Sequence, residues 1–225
     1  MKNEPQRTST LPNGNDIRLP WHLRLPAPLE RDFADYFRGS VASVTPWAAA
    51  SLVALLILAL IVEYTISPEA AATTWRPRLL CVMLIVANAL IARRADWRRW
   101  LHVSSLAVAF AVALTGNWMG LNVDHAMAFG LFLQTPLAIL MACVVLRVPF
   151  HLAAVSSLAM LGILVLMLFG SDRVDRDLSL VLLLLSVASA SMSLFGQYIY
   201  ERLLRQHFLS ENVLFQHRDE LHSAN

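Results

Sequence analysis

Charge is scarce in this chain of 225 residues, with 15% Asp, Glu, Lys and Arg against 57% apolar residues. That balance excludes an ordinary soluble domain and leaves the lipid bilayer as the solvent. Cysteine is scarce too: the two residues, Cys81 and Cys143, both fall inside apolar runs. No disulfide framework or cysteine-rich metal site can be built from them, and such thiols pack as small hydrophobes. The catalytic signatures are missing as well. The sequence has no Gly-rich phosphate loop, no G-x-S-x-G elbow and no H-E-x-x-H pair, so no catalytic residue is assigned. A basic patch interleaved with aromatics is also absent, which argues against a nucleic-acid partner.

What is present is a series of six apolar runs, at Ser43–Val62, Leu79–Ala92, Trp100–Leu121, Ala126–Leu146, Phe150–Phe169 and Leu178–Gln197. A helix needs about 20 residues to cross a bilayer. The expectation is an all-α membrane protein, a six-transmembrane helix bundle over residues 43–197. The second run is the shortest and crosses only if Arg76 and Arg78 snorkel or the helix begins near Thr74. Charge placement supports the even count. Most of the 18 basic residues sit in the N-terminal arm, at Arg93 to Arg99, at Arg147 and in the C-terminal tail, whereas Glu63, Glu69, Asp124, Asp172, Asp175 and Asp177 gather on the other side. Because Lys and Arg in short loops favour the cytoplasm, both termini are predicted cytoplasmic, in a multi-pass protein of a bacterial inner membrane. The first 40 residues are polar and show no cleavable leader, so the first helix is expected to direct insertion.

Residues 1–30 hold Pro5, Pro12, Pro20, Pro26 and Pro28 with Asn13-Gly14-Asn15, a composition expected to stay disordered. Over 31–42, Phe33, Tyr36 and Phe37 share one helical face and Arg31, Asp32, Asp35 and Arg38 the other, which predicts an amphipathic helix lying on the membrane surface.

Polar side chains within hydrocarbon are usually paired or functional. Gln134 and Thr135 precede Pro136 near the middle of the fourth run, where a proline kink with an interhelical hydrogen bond and a ligand contact are both open readings. Asn117, Asn122, Asp124 and His125, with Glu63, Tyr64 and Trp118, lie near the outer helix ends and form a candidate ligand mouth; as belt and loop residues they need no ligand. Ser186, Ser189, Ser193 and Gln197 make a stripe on the sixth run that suits either packing inside the bundle or a homodimer interface, with the dimer slightly favoured. His102 and His151 open the third and fifth runs at similar depth, a placement that two axial ligands of a haem would use. No carboxylate placed to orient them and no further histidine pair at matching depth accompanies them, and the reading is of no cofactor and no metal.

From Tyr198 the chain runs on without Gly or Pro. Tyr200, His207, Leu214 and Leu221, with Leu203, Ser210, His217 and Ala224, form a partly apolar heptad seam over 198–225, a marginal coiled coil. The spacing Tyr198-x-x-Glu201-x-x-x-Arg205-x-x-Phe208-Leu209 and the sequence Glu220-Leu221-x-x-Ala224-Asn225 resemble the juxtamembrane helix and connector of the six-helix membrane modules found ahead of bacterial GGDEF diguanylate cyclases and class III adenylate cyclases. The resemblance implies a homodimeric sensory module. It would take a small or lipid-like ligand, or a bilayer signal, and relay it through helix six and the C-terminal helix to a cyclase output. No Gly-Gly-Asp-Glu-Phe string occurs here, so the chain reads as part of a longer signalling protein. A small-solute transporter or channel using the Gln134–Pro136 break is the alternative from another class, and the sensor part of a histidine kinase is a third.

Overall fold

The computed structural model describes residue 23 and residues 25–123, 130–170 and 175–224, with side chains to 214. No strand occurs among the described residues. Helix α1 spans Ala27–Ile66, α2 Pro68–Arg93, α3 Leu101–Asn122, α4 Gln134–Leu140, α5 Phe150–Phe169 and α6 Arg176–Ala224. A 3-10 turn at Ala95–Trp100 leads into α3, and α4 continues as a π-helix over Met141–Val145. Among the described residues, five helical segments are long and apolar enough to cross a membrane, and Gly130–Val145 is a shorter apolar helix. Their outward faces carry Leu166, Leu184, Leu158 and Met83, which water would not tolerate in such number.

The short segment is therefore not the one expected. Residues before Leu79 join the second helix because Ser67 caps it, accepting the Ala70 N–H at 3.4 Å, and Pro68 takes the first-turn position that lacks a donor requirement. Ser67 is also the sole residue between α1 and α2, making a tight hairpin. The fourth segment breaks at Leu133, and Pro136 falls in the first turn of α4, where its missing N–H costs least.

The separate surface helix expected at 31–42 is instead the start of the continuous 40-residue α1. Its aromatic face does not lie on lipid. Phe33 and Phe37 are buried in a cluster with Leu29, Val41, Leu101, Phe208 and Leu209, and Phe208 meets Phe33 edge-on at 5.6 Å and Tyr36 at 5.4 Å. The amphipathic pattern was sound, but another helix covers the apolar face. Each such ring is worth roughly 1.5–3 kcal/mol in area removed from water. Of the arm expected at 1–30, residues 1–22 and 24 lie outside the described residues, and the helix already runs from Ala27.

The main core lies deeper, where α1 to α6 contribute Leu52, Ile85, Val112, Ile139, Met160 and Ala190 among others. Helices pack as α1 on α2, α2 on α3, α3 on α4, and α6 against both α4 and α5. Gly116 and Gly120 let α3 meet the fourth segment at close range: a Cβ on Gly116 would stand 2.5 Å from Gln134 Cβ, and one on Gly120 2.9 Å from the Phe132 ring.

Candidate functional site

Buried polar groups gather near both ends of α1. At its start, Arg205 of α6 donates through Nη1 and Nη2 to the two Glu30 oxygens, each at 2.8 Å. Through Nη2 and Nε it also donates to Glu201 Oε1 at 2.8 and 3.1 Å. The second Glu201 oxygen accepts the N–H of Phe150 at 2.8 Å, placing a carboxylate at the N-terminus of α5 where the helix dipole favours it. The Arg205 guanidinium lies 4.2 Å from the centre of the Phe33 ring. Glu201 and Arg205 are 2% and 5% exposed, so these are interior charges that stand only because they are paired.

The neighbouring turns of α6 grip the connection between α4 and α5. Gln197 Nε2 donates to the Val148 carbonyl at 2.7 Å, and Tyr198 meets Phe150 edge-on at 5.5 Å. Arg147 donates to the Tyr200 hydroxyl at 2.7 Å and stacks on its ring at 4.5 Å. Arg147 has φ of 48°, the left-handed cap position usually given to glycine, and the Val148 N–H closes the turn onto Ala142 O at 3.1 Å. One face of α6 thus ties together the start of α1, the α4–α5 connection and the start of α5. A hollow of about 240 Å³, lined by Phe37, His102, Glu201 and Arg205 among others, adjoins the knot.

At the far end of α1, Glu63 pairs with Arg78 of α2 and accepts the Thr74 hydroxyl at 2.7 Å. Both charged side chains are buried, and among the described residues Arg78 Nε and Nη1 have no hydrogen-bond partner. Between the two ends, Thr135 donates to Asn117 Oδ1 at 2.9 Å, and Asn88 accepts from Ser104 at 2.6 Å.

The candidate ligand residues are only partly brought together. Asn117 and Thr135 bond to each other inside the α3–α4 seam, and Gln134 packs across Gly116 while lining two lipid-facing clefts. Asn122 is exposed and donates to the Trp118 carbonyl of its own helix at 2.7 Å. Asp124 and His125 lie outside the described residues. His102 packs on Phe37 within the α1–α6 cluster and His151 on Phe150 at the surface, so no contact unites them as a ligand pair. Among the described residues no group of three His, Cys, Asp or Glu forms a metal cluster.

The serine stripe faces inward. Ser186 and Ser193 are buried within the single chain, Ser186 bonding to Leu182 O at 2.7 Å, and Ser189 reaches Pro136 O at 3.4 Å. Its lean toward a dimer interface is corrected: small residues here let α6 approach α4. In the tail, Glu201, Arg205, Phe208 and Leu209 are buried, whereas Leu203, His207, Ser210 and Leu214 of the heptad seam point outward. The side chain of Leu221 lies outside the described residues.

Sequence reading missed Glu30, Arg147 and the pairing of Arg78 with Glu63. A signal existed for Gly116 and Gly120 in their four-residue spacing, and for Arg78 in its position within an apolar segment. Neither signal names a partner.

No curated protein and no solved structure matches the chain. The MASE8 family profile matches residues 61–214, from the last turns of α1 to the tail of α6. With more than half of its length matched, the chain belongs to the MASE8 family of membrane-associated sensory domains.

Proposed function

We propose that the chain is the six-span sensory module of a bacterial inner-membrane signalling protein, acting as a homodimer and relaying a ligand or bilayer signal through α6 to a cyclase-type output. The observation that carries this reading is the Glu30–Arg205–Glu201 knot, because it makes the extension of α6 respond to the position of α1 and α5. Two arrangements of such a tie separated by a few kcal/mol are what a sensor needs, since a ligand shifts a population only by its differential affinity. The contact also supports an even number of crossings with both termini on one side. Glu30 near the start of α1 and Arg205 beyond the apolar part of α6 touch, so the short fourth segment is read as a sixth crossing. The positive-inside rule assigns that side to the cytoplasm.

The homodimer would form through the outward seam of Leu203, His207, Ser210 and Leu214, which no described residue of the same chain covers. Transport would use the broken fourth segment, yet the Thr135 hydroxyl there is committed to Asn117 Oδ1 of α3. The test is a fusion of residues 1–225 to a diguanylate cyclase catalytic domain, assayed in membranes for cyclic dinucleotide. Arg205→Met should change output severalfold at equal protein level; output that ignores both Arg205→Met and Glu201→Gln would end the relay reading. A histidine kinase domain joined in the same way distinguishes the third class of output.

A further inference from the structure

A cleft of about 520 Å³ opens sideways between the far end of the α1–α2 hairpin and the fourth segment. Leu58, Val62, Leu131 and Leu137 make its walls, and Glu63, Arg78 and Gln134 supply its polar edge. A second hollow of about 220 Å³ shares Leu55, Ala59, Gln134 and Leu137 with it and extends the apolar surface toward α3. Such walls suit a hydrocarbon body entering from lipid.

The polar edge specifies more. Arg78 is 3% exposed, and its Nε and Nη1 find no acceptor among the described residues. Unmade hydrogen bonds on a buried cation are costly, so the site calls for an acceptor oxygen. Glu63 already neutralises the charge. A carboxylate or phosphate head would leave a net charge in low dielectric, whereas a carbonyl oxygen gives one of the unpaired Arg78 nitrogens its acceptor and keeps the site neutral. We infer that this cleft binds an uncharged amphiphile that presents a carbonyl oxygen to Arg78 and lays its hydrocarbon body along α1 and the fourth segment.

Two membrane molecules carry that chemistry, a quinone and a neutral glycerolipid ester. The inference deepens the sensory reading by giving the module a ligand, but binding is measured without any output domain, so failure here and failure of the relay are separate results.

The experiment uses the full chain in dodecyl maltoside, a detergent without a carbonyl group, and follows thermal unfolding through the reactivity of the buried Cys81 and Cys143. Decylubiquinone, dioctanoylglycerol and dodecane are titrated separately. One of the two carbonyl probes should raise the midpoint saturably, by about 5 °C at a hundredfold excess over Kd. A response to decylubiquinone alone assigns a quinone, and one to dioctanoylglycerol alone assigns a lipid. Glu63→Gln/Arg78→Met removes both charges together and should weaken half-saturation at least tenfold. Gly130→Phe should do the same by filling the cleft, since a Cβ at Gly130 meets nothing within 4 Å. If neither carbonyl probe acts, a bound water suffices for Arg78 and the proposal falls. It falls equally if dodecane acts as strongly, or if the Gly130→Phe protein responds like the wild type.

Discussion

Replacing Arg205 by Met removes the one cation that holds two carboxylates. Glu201 bears the larger cost: its side chain is 3% exposed, and in the variant it keeps only the Phe150 N–H. Removing one partner of a buried pair costs about 3–5 kcal/mol because the other charge stays behind. Glu30 adds less, since its carboxylate is 37% exposed and water replaces the lost partner; solvent screening holds that pair to about 0–1 kcal/mol. At about 2–4 °C per kcal/mol for a chain of this size, the unfolding midpoint should fall on the order of 10 °C. The buried Cys81 and Cys143 give the assay, since a thiol-reactive fluorophore labels them as the bundle opens. The decisive comparison is Glu201→Gln/Arg205→Met. Gln retains an oxygen for the Phe150 N–H and leaves no uncompensated charge in the interior, Glu30 being partly hydrated, so the double variant should recover much of the loss. A double variant less stable than Arg205→Met alone, or a single variant within 2 °C of wild type, would refute the account.

Other outcomes follow from single contacts. Gly116→Ala places a Cβ 2.5 Å from Gln134 and should cost about 1–3 kcal/mol by overpacking, visible in the same thermal assay. Arg147→Gly and Arg147→Ala both lose the Tyr200 contact, but only glycine accepts φ of 48° without penalty, so the alanine variant should be the less stable by about 1 kcal/mol. Single cysteines at 203, 207, 210 and 214, in a background lacking Cys81 and Cys143, should crosslink in membranes while cysteines at 201, 205 and 208 should not; an aperiodic pattern would count against the dimer seam. Replacing Ser189 and Ser193 by Leu should lower the unfolding midpoint rather than change the crosslinking, because the stripe packs on α4.

Apolar runs made the helices legible, because a bilayer demands length and hydrophobicity and little else. Cap residues decided what the runs left open: Ser67 and Pro68 extend the second helix, which hydropathy alone truncates at Leu79. The aromatic face of Phe33 and Phe37 was equally plain in the sequence, but amphipathicity does not say whether lipid or protein covers it. That answer required Phe208 and Leu209, some 170 residues later. The spacing of Tyr198, Glu201, Arg205 and Phe208 stood out as a juxtamembrane pattern of a relay helix without showing that it faces inward, while Glu30 looked like an ordinary acid in a first helical turn. Pairings at such separation leave no local trace. Nor does the serine stripe reveal which helix it meets, since small residues serve an internal seam and a dimer seam alike.

The tail of α6 is pinned on one side through Glu201, Arg205 and Phe208 and bare on the other at Leu203, His207 and Leu214. A helix turns about 100° per residue, so this division fixes a rotational phase for whatever rides on it. In the dimeric relay proposed above, inserting one residue beyond Leu209 would swing an attached domain a quarter turn or more away from its twin, whereas inserting seven returns it to within about 20°. On that proposal, a domain joined to this membrane unit would be keyed by the remainder of its spacer length on division by seven, a rule that treats the junction as a gear tooth rather than a tether.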